Sequence, residues 1–174
     1  EQRVVPHRRW LFEYWPRRYQ QFRTAPLDAA KEALGRGEQV LVISGDFASF
    51  YDTVEPDFMM SDEIIAELEA VSAEQFDVDG YKQATSSLLR AYGRFRAEGA
   101  RRAGTAIGTG VPIGALTSRL VANLALAPLD RHVRAIPSVL CYRRYVDDVV
   151  IVAQARGPLQ GTRDVLKEFL PLRD

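Results

Sequence analysis

Two apolar, β-rich runs, Leu140 to Arg144 and Val149 to Ala153, are separated only by Tyr145-Val146-Asp147-Asp148. So short a spacer predicts a tight antiparallel hairpin with two aspartates at its tip. Aspartate is poor in strands and adjacent carboxylates repel, so such a tip is costly without a use. The plain structural account is that Asp favours tight turns. Taken alone, the pair leaves both accounts open.

A second run, Val40-Leu41-Val42-Ile43, lies between Gly37 and Gly45 and has the composition of a buried central strand. Asp46 stands at its C-terminal end, followed by an aromatic turn over Phe47 to Val54. Helical spacing predicts a short helix over Leu27 to Leu34 ended by Gly35 and Gly37, and an acidic helix over Ser61 to Val71 with Ile64, Ile65 and Leu68 on one face. A further helix over Tyr81 to Arg96 places Leu88, Leu89, Tyr92 and Phe95 at core spacing. Gly99 to Gly110 reads as a basic loop or hairpin. Leu116, Leu120, Val121, Leu124, Leu129 and Val133 predict one long helix, capped by Thr117 or Ser118 and kinked near Pro128. Pro158 to Leu170 closes the chain with one more helix.

The net charge is zero over 174 residues, but residues 37–80 hold twelve acidic residues and no basic one. The flanking segments are basic. Holding both a phosphate backbone and divalent cations needs separate basic and acidic surfaces. A solvated acidic helix accounts equally well for most of Asp57 to Asp79. In Arg8 to Arg23, arginines alternate with Trp10, Phe12, Tyr14, Trp15, Tyr19 and Phe22. That mixture grips phosphates and stacks on bases, and it also serves as a packing face with snorkelling arginines.

Cys141 is the single cysteine, which excludes an intrachain disulfide, and His7 and His132 are the only histidines. A Cys/His zinc site therefore cannot be assembled, and any metal must be held by carboxylates, which suits hard cations such as magnesium. A reducing cytoplasm is the expected setting. No apolar run reaches the roughly 20 residues needed to span a bilayer.

If the Asp46 strand lies beside the hairpin, its carboxylate converges with those of Asp147 and Asp148. Such a cluster is unfavourable without cations. With two magnesium ions about 3.5–4 Å apart it becomes a device for phosphoryl transfer.

Tyr145-Val146-Asp147-Asp148 is similar to the YxDD box of reverse transcriptases, and Asp46-Phe47-Ala48-Ser49-Phe50-Tyr51-Asp52 resembles their DxxxFYD motif. Between them, Gly110-Val111-Pro112-Ile113-Gly114-Ala115-Leu116-Thr117-Ser118 resembles the G-[LIV]-P-x-G-x-x-x-S segment. The motifs stand in the family's order over roughly Gln39 to Ala153. The resemblance implies an α+β polymerase palm, an antiparallel sheet packed on helices with a ferredoxin-like core. Residues 1–38 would be partial fingers and 39–174 the palm with interspersed fingers elements, in a fragment that lacks a thumb and extends naturally beyond both ends. It further implies that Asp46 and Asp147 bind two magnesium ions, with manganese as the alternative, that Asp148 supports them and that the Phe47 carbonyl is a further ligand. Tyr51 would crowd the sugar 2′-position, Pro112, Ile113 and Gly114 would line the nascent base pair, and Tyr145 would contact substrate. An ordinary core aromatic is the competing account of Tyr51.

The implied partners are deoxynucleotides, an RNA template, a DNA or protein primer, a non-coding RNA and a partner subunit, with no membrane. Ile113 stands where many intron and retroviral enzymes carry glutamine, and Ser118-Arg119 replaces their Ser-Pro. These departures resemble bacterial abortive-infection, defence-associated, retron or diversity-generating enzymes, some of which polymerise without a conventional template or prime on protein. No clear triphosphate-holding motif precedes Asp46, where Arg17, Arg18 and Arg23 are the candidates. A catalytically silent palm scaffold and a carboxylate-cluster nuclease are the alternatives from other classes.

Overall fold

The computed structural model describes residues 15–72, 75–104, 108–155 and 162–170. Trp10, Phe12 and Tyr14 of the aromatic, arginine-rich segment lie outside them, as do 105–107 of the expected glycine-rich loop and the first residues, 158–161, of the expected closing helix. The chain divides into two compact units, one formed by Glu1–Phe47 with Leu126–Asp174 and the other by Ala48–Ala125.

The first unit is built on a three-stranded antiparallel sheet of β1 (Val40–Asp46), β2 (Val139–Tyr145) and β3 (Asp148–Gln154), in the order β1-β3-β2. β2 and β3 form the expected hairpin, its loop reduced to Val146 and Asp147. The expectation of a central strand at Val40 to Ile43 is corrected: β1 is an edge, and β3 is the centre. Val149, Ile151, Val152 and Ala153 of β3 are buried, whereas Val42 of β1 is 53% exposed. Both runs are equally apolar in sequence, so only pairing on both sides distinguishes the central one.

Helix α1 (Trp15–Gly35) packs on all three strands and is much longer than the expected Leu27 to Leu34. It carries the buried Pro26 in its interior, the residue that most argues against a continuous helix in sequence. Gly37, at φ 78°, supplies the left-handed step after the helix, where its amide donates to the Leu34 carbonyl at 2.9 Å. Helix α7 (Thr162–Phe169) buries Phe169 in the core.

The second unit is mostly helical. Within the expected aromatic turn, Phe50–Thr53 form a short helix, α2, and beyond that turn Pro56–Met60 form a 3₁₀ helix. Helix α3 (Asp62–Val71) follows, with the Ser61 hydroxyl accepting from the Ile64 amide and with Ile64 and Ile65 buried as the spacing predicts. Helix α4 (Val78–Ala103) outruns its expected span at both ends: Asp77 caps its start, and the expected loop from Gly99 is helix as far as Ala103. There Glu98 pairs with Arg101 and Arg102, and Gly104 at φ 69° ends the helix. Phe95, placed in the core by spacing, is 50% exposed, while Tyr92 is buried with Val54, Met59, Val111 and Val121.

The expected single kinked helix over Leu116 to Val133 is two helices, α5 (Leu116–Ala125) in the second unit and α6 (Ala127–Ala135) in the first. Pro128 sits in the first turn of α6, where its missing N–H costs nothing. Thr117 and Ser118 are not caps. Both lie inside α5, and Ser118 is fully buried.

Candidate active site

Strand register brings the expected carboxylates to one end of the sheet. Asp46, the last residue of β1, is the antiparallel partner of Asp148, the first residue of β3, which is also paired with Tyr145 at the end of β2. The Phe47 amide donates to the Asp147 carbonyl at 3.3 Å and so ties the chain leaving β1 to the hairpin loop. Asp46 and Asp148 are exposed and Asp147 is half-buried.

Asp148 titrates above the ordinary carboxylate range. Partial loss of solvent is the larger cause, and the charges of Asp147 and Asp46 add to it. Among the described residues, no group of three or more His, Cys, Asp or Glu side chains closes into a metal cage. The donor chemistry nevertheless fits a hard cation: hard oxygen donors gathered on neighbouring strand ends, with mutual repulsion that a cation would relieve.

The hairpin loop is held under strain. Val146 adopts φ 59°, a left-handed conformation that is a genuine outlier for a β-branched residue. Its carbonyl accepts from Arg144 Nη1 at 2.8 Å. Arg144 is in turn fixed to α6, donating from Nε and Nη2 to the two carboxylate oxygens of Asp130 at 2.8 and 2.7 Å. The Tyr142 hydroxyl donates to Asp130 Oδ1 at 2.6 Å. Burial alone would raise the Asp130 pKa, but the hydrogen bonds from Arg144 and Tyr142 together with the charges of Arg144 and Arg134 bring it below the usual carboxylate value. Burial and the Asp130 carboxylate push the Tyr142 phenol far upward.

This clamp was not anticipated from sequence. Its only local sign is the Tyr142-x-Arg144 alternation, which points both side chains to one face of β2. Tyr145 faces the other way, its ring 5.2 Å from Tyr19 and 6.1 Å from Phe22 of α1.

The other expected site residues lie in the second unit and are assembled there. The Val111 amide donates to the Tyr51 carbonyl at 2.8 Å, the Gly110 amide to the Val54 carbonyl at 3.1 Å and the Thr109 hydroxyl to the Asp52 carbonyl at 2.8 Å. Gly110, at φ 91°, permits this approach: a Cβ there would stand 2.8 Å from the carbonyl oxygens of both Tyr51 and Asp52. Tyr51 is half-buried against the Tyr92 cluster and meets Phe50 edge-on. Pro112 is half-buried, Gly114 turns the chain at φ 85°, and Ile113 is 76% exposed.

The family model for reverse transcriptase (RNA-dependent DNA polymerase) matches residues 4–172. No curated protein and no solved structure matches the chain.

Proposed function

Because this chain belongs to the reverse transcriptase (RNA-dependent DNA polymerase) family, we propose that the carboxylate end of its sheet adds deoxynucleotides to a primer 3′-end under the direction of an RNA template. The observation that carries this reading is the register of Asp46 against Asp148, with Asp147 tied to Phe47 in the adjoining loop. Asp46, Asp147 and the Phe47 carbonyl, with Asp148 in support, would hold two divalent cations, which would supply neutralisation of the charge that phosphoryl transfer develops. The chain's own contribution is positional. Arg144 and Asp130 fix the loop bearing Asp147, so the carboxylates are presented without reorganisation.

Tyr51 is the proposed gate against the sugar 2′-hydroxyl, and the Pro112-Ile113-Gly114 turn the proposed strip along the nascent base pair, with Tyr145 a further substrate contact. In this reading 39–174 is the palm with interspersed fingers elements and 1–38 belongs to the fingers. Asp147→Asn in the full-length protein is expected to abolish deoxynucleotide incorporation. Retained synthesis refutes the role given to that carboxylate, and cleavage without incorporation would point to a nuclease.

A second reading rests on Ile113, an exposed apolar residue with no amide to offer a template strand. It makes the enzyme a template-independent or protein-primed polymerase of a bacterial defence lineage. Sequencing products made with and without RNase pretreatment separates the two, because a templated enzyme must copy a definable RNA.

A further inference from the structure

Two rings from the aromatic, arginine-rich stretch of the sequence reach the strand end that carries the carboxylates. Tyr19 and Phe22 stand three residues apart and so share one face of α1, where their rings stack at 6.1 Å with 25° between planes. Tyr145 closes on this pair from β2. It meets Tyr19 edge-on, at 5.2 Å and 72°, and Phe22 at 6.1 Å and 47°. An edge-to-face contact at such a distance is what the ring quadrupole favours.

Two neighbouring residues of β2 are thus held on opposite faces of the sheet. Arg144, bonded to Asp130 of α6, fixes the Val146 carbonyl from one face. Tyr145 points to the other, where α1 receives its ring. Its backbone is the strand partner of Asp148. Among the described residues the Tyr145 hydroxyl makes no hydrogen bond, so ring packing rather than a directed bond sets where this side chain stands. Phe22 and Tyr145 are half-buried, and Tyr19 remains 38% exposed.

We infer that Tyr19 and Phe22 are positioning residues that order the Tyr145 ring before substrate arrives. This role rests on the polymerase reading, in which Tyr145 touches substrate. A ring left free to turn must be ordered at the moment of binding, and that cost is carried by the binding step. The bonds from Arg144 to Asp130 and Val146 hold the loop of Asp147 separately, so the chemical step is spared.

Steady-state incorporation by the full-length protein tests this. Tyr19→Leu, which keeps an apolar side chain but removes the ring, is expected to raise KM for deoxynucleotide or for primer–template by about two- to tenfold, with kcat unchanged. Tyr19→Phe keeps the ring and is expected to retain the unmutated KM. In a Tyr145→Leu background, Tyr19→Leu is expected to change KM no further, because its effect passes through Tyr145. The role is overturned by an unchanged KM for both substrates in Tyr19→Leu and Phe22→Leu, by an additive effect in the Tyr145→Leu background, or by Tyr19→Phe behaving like Tyr19→Leu. The ring resonances of Tyr145 give a readout that needs no turnover. Tyr19→Leu is expected to move them toward those of a mobile ring, and unmoved resonances in the folded variant also overturn the role. Absence of incorporation by the unmutated protein would sink the polymerase reading and this role together. Incorporation that needs Asp147 but is indifferent to Tyr19 and Phe22 sinks this role alone.

Discussion

Asp130 and Asp148 are carboxylates of the same unit, and their surroundings drive them in opposite directions. Asp130 is buried, satisfied by Arg144 and Tyr142, and titrates low. Asp148 is exposed, faces Asp147 and Asp46, and titrates high. The buried carboxylate is surrounded by donors, while the exposed one is left among like charges. Arg144 links the two regions, because the side chain that satisfies Asp130 also holds the Val146 carbonyl beside the exposed cluster.

The sharpest way to break this contrast is Asp130→Ala. It strands the Arg144 guanidinium in the interior and should cost about 3–5 kcal/mol, read as a shift in the chemical-denaturation midpoint. A loss below about 1 kcal/mol would show that Asp130 is not the anchor. Next comes Gly110→Ala, which tests whether the backbone contact of Gly110 and Val111 with Val54 and Tyr51 in the second unit is as rigid as the clamp of the first. A Cβ at φ 91°, 2.8 Å from backbone carbonyl oxygens, should cost about 2–4 kcal/mol.

Val146→Gly should relieve the left-handed strain and stabilise the fold by about 1 kcal/mol in thermal unfolding, while lowering any polymerase activity that depends on the loop's fixed shape. Unchanged activity would separate the strain from function.

The smallest effect is electrostatic. Because the folded pKa of Asp148 is raised, its ionisation disfavours the native state, so this residue's penalty grows as pH rises through the carboxylate range. Asp148→Asn should therefore raise Tm by about 1–3 °C at neutral pH in chelator, with the difference vanishing in acid. Asp130 has the opposite sign: its contribution is full above its unfolded pKa of about 4 and is lost as pH falls through the lowered folded value. Acid unfolding should thus be later and shallower in Asp130→Asn relative to its own neutral-pH stability, and equal acid profiles would remove Asp130 from the account.

The hairpin was legible in sequence because a short spacer between two β-rich runs allows little else, and with it came the position of Asp147-Asp148 at a strand end. The motif around Asp46 to Asp52 and the Gly110 to Gly114 segment pointed to one family, and the match over residues 4–172 agrees with that assignment. Helix lengths were harder. Pro26 and Gly99 are local breakers that lose to tertiary packing and to the Glu98 ion pairs, so α1 and α4 run through them.

What the sequence determined by itself was where carboxylates stand relative to strand ends, since alternation and turn length are local properties. Only the tertiary structure decided that β3 is the central strand, that Asp130 and Arg144 clamp the loop, and that Tyr19 and Phe22 of α1 meet the Tyr145 ring. Those facts depend on register and on pairs far apart in the chain, and no periodicity within one segment encodes which distant partner will satisfy a buried charge.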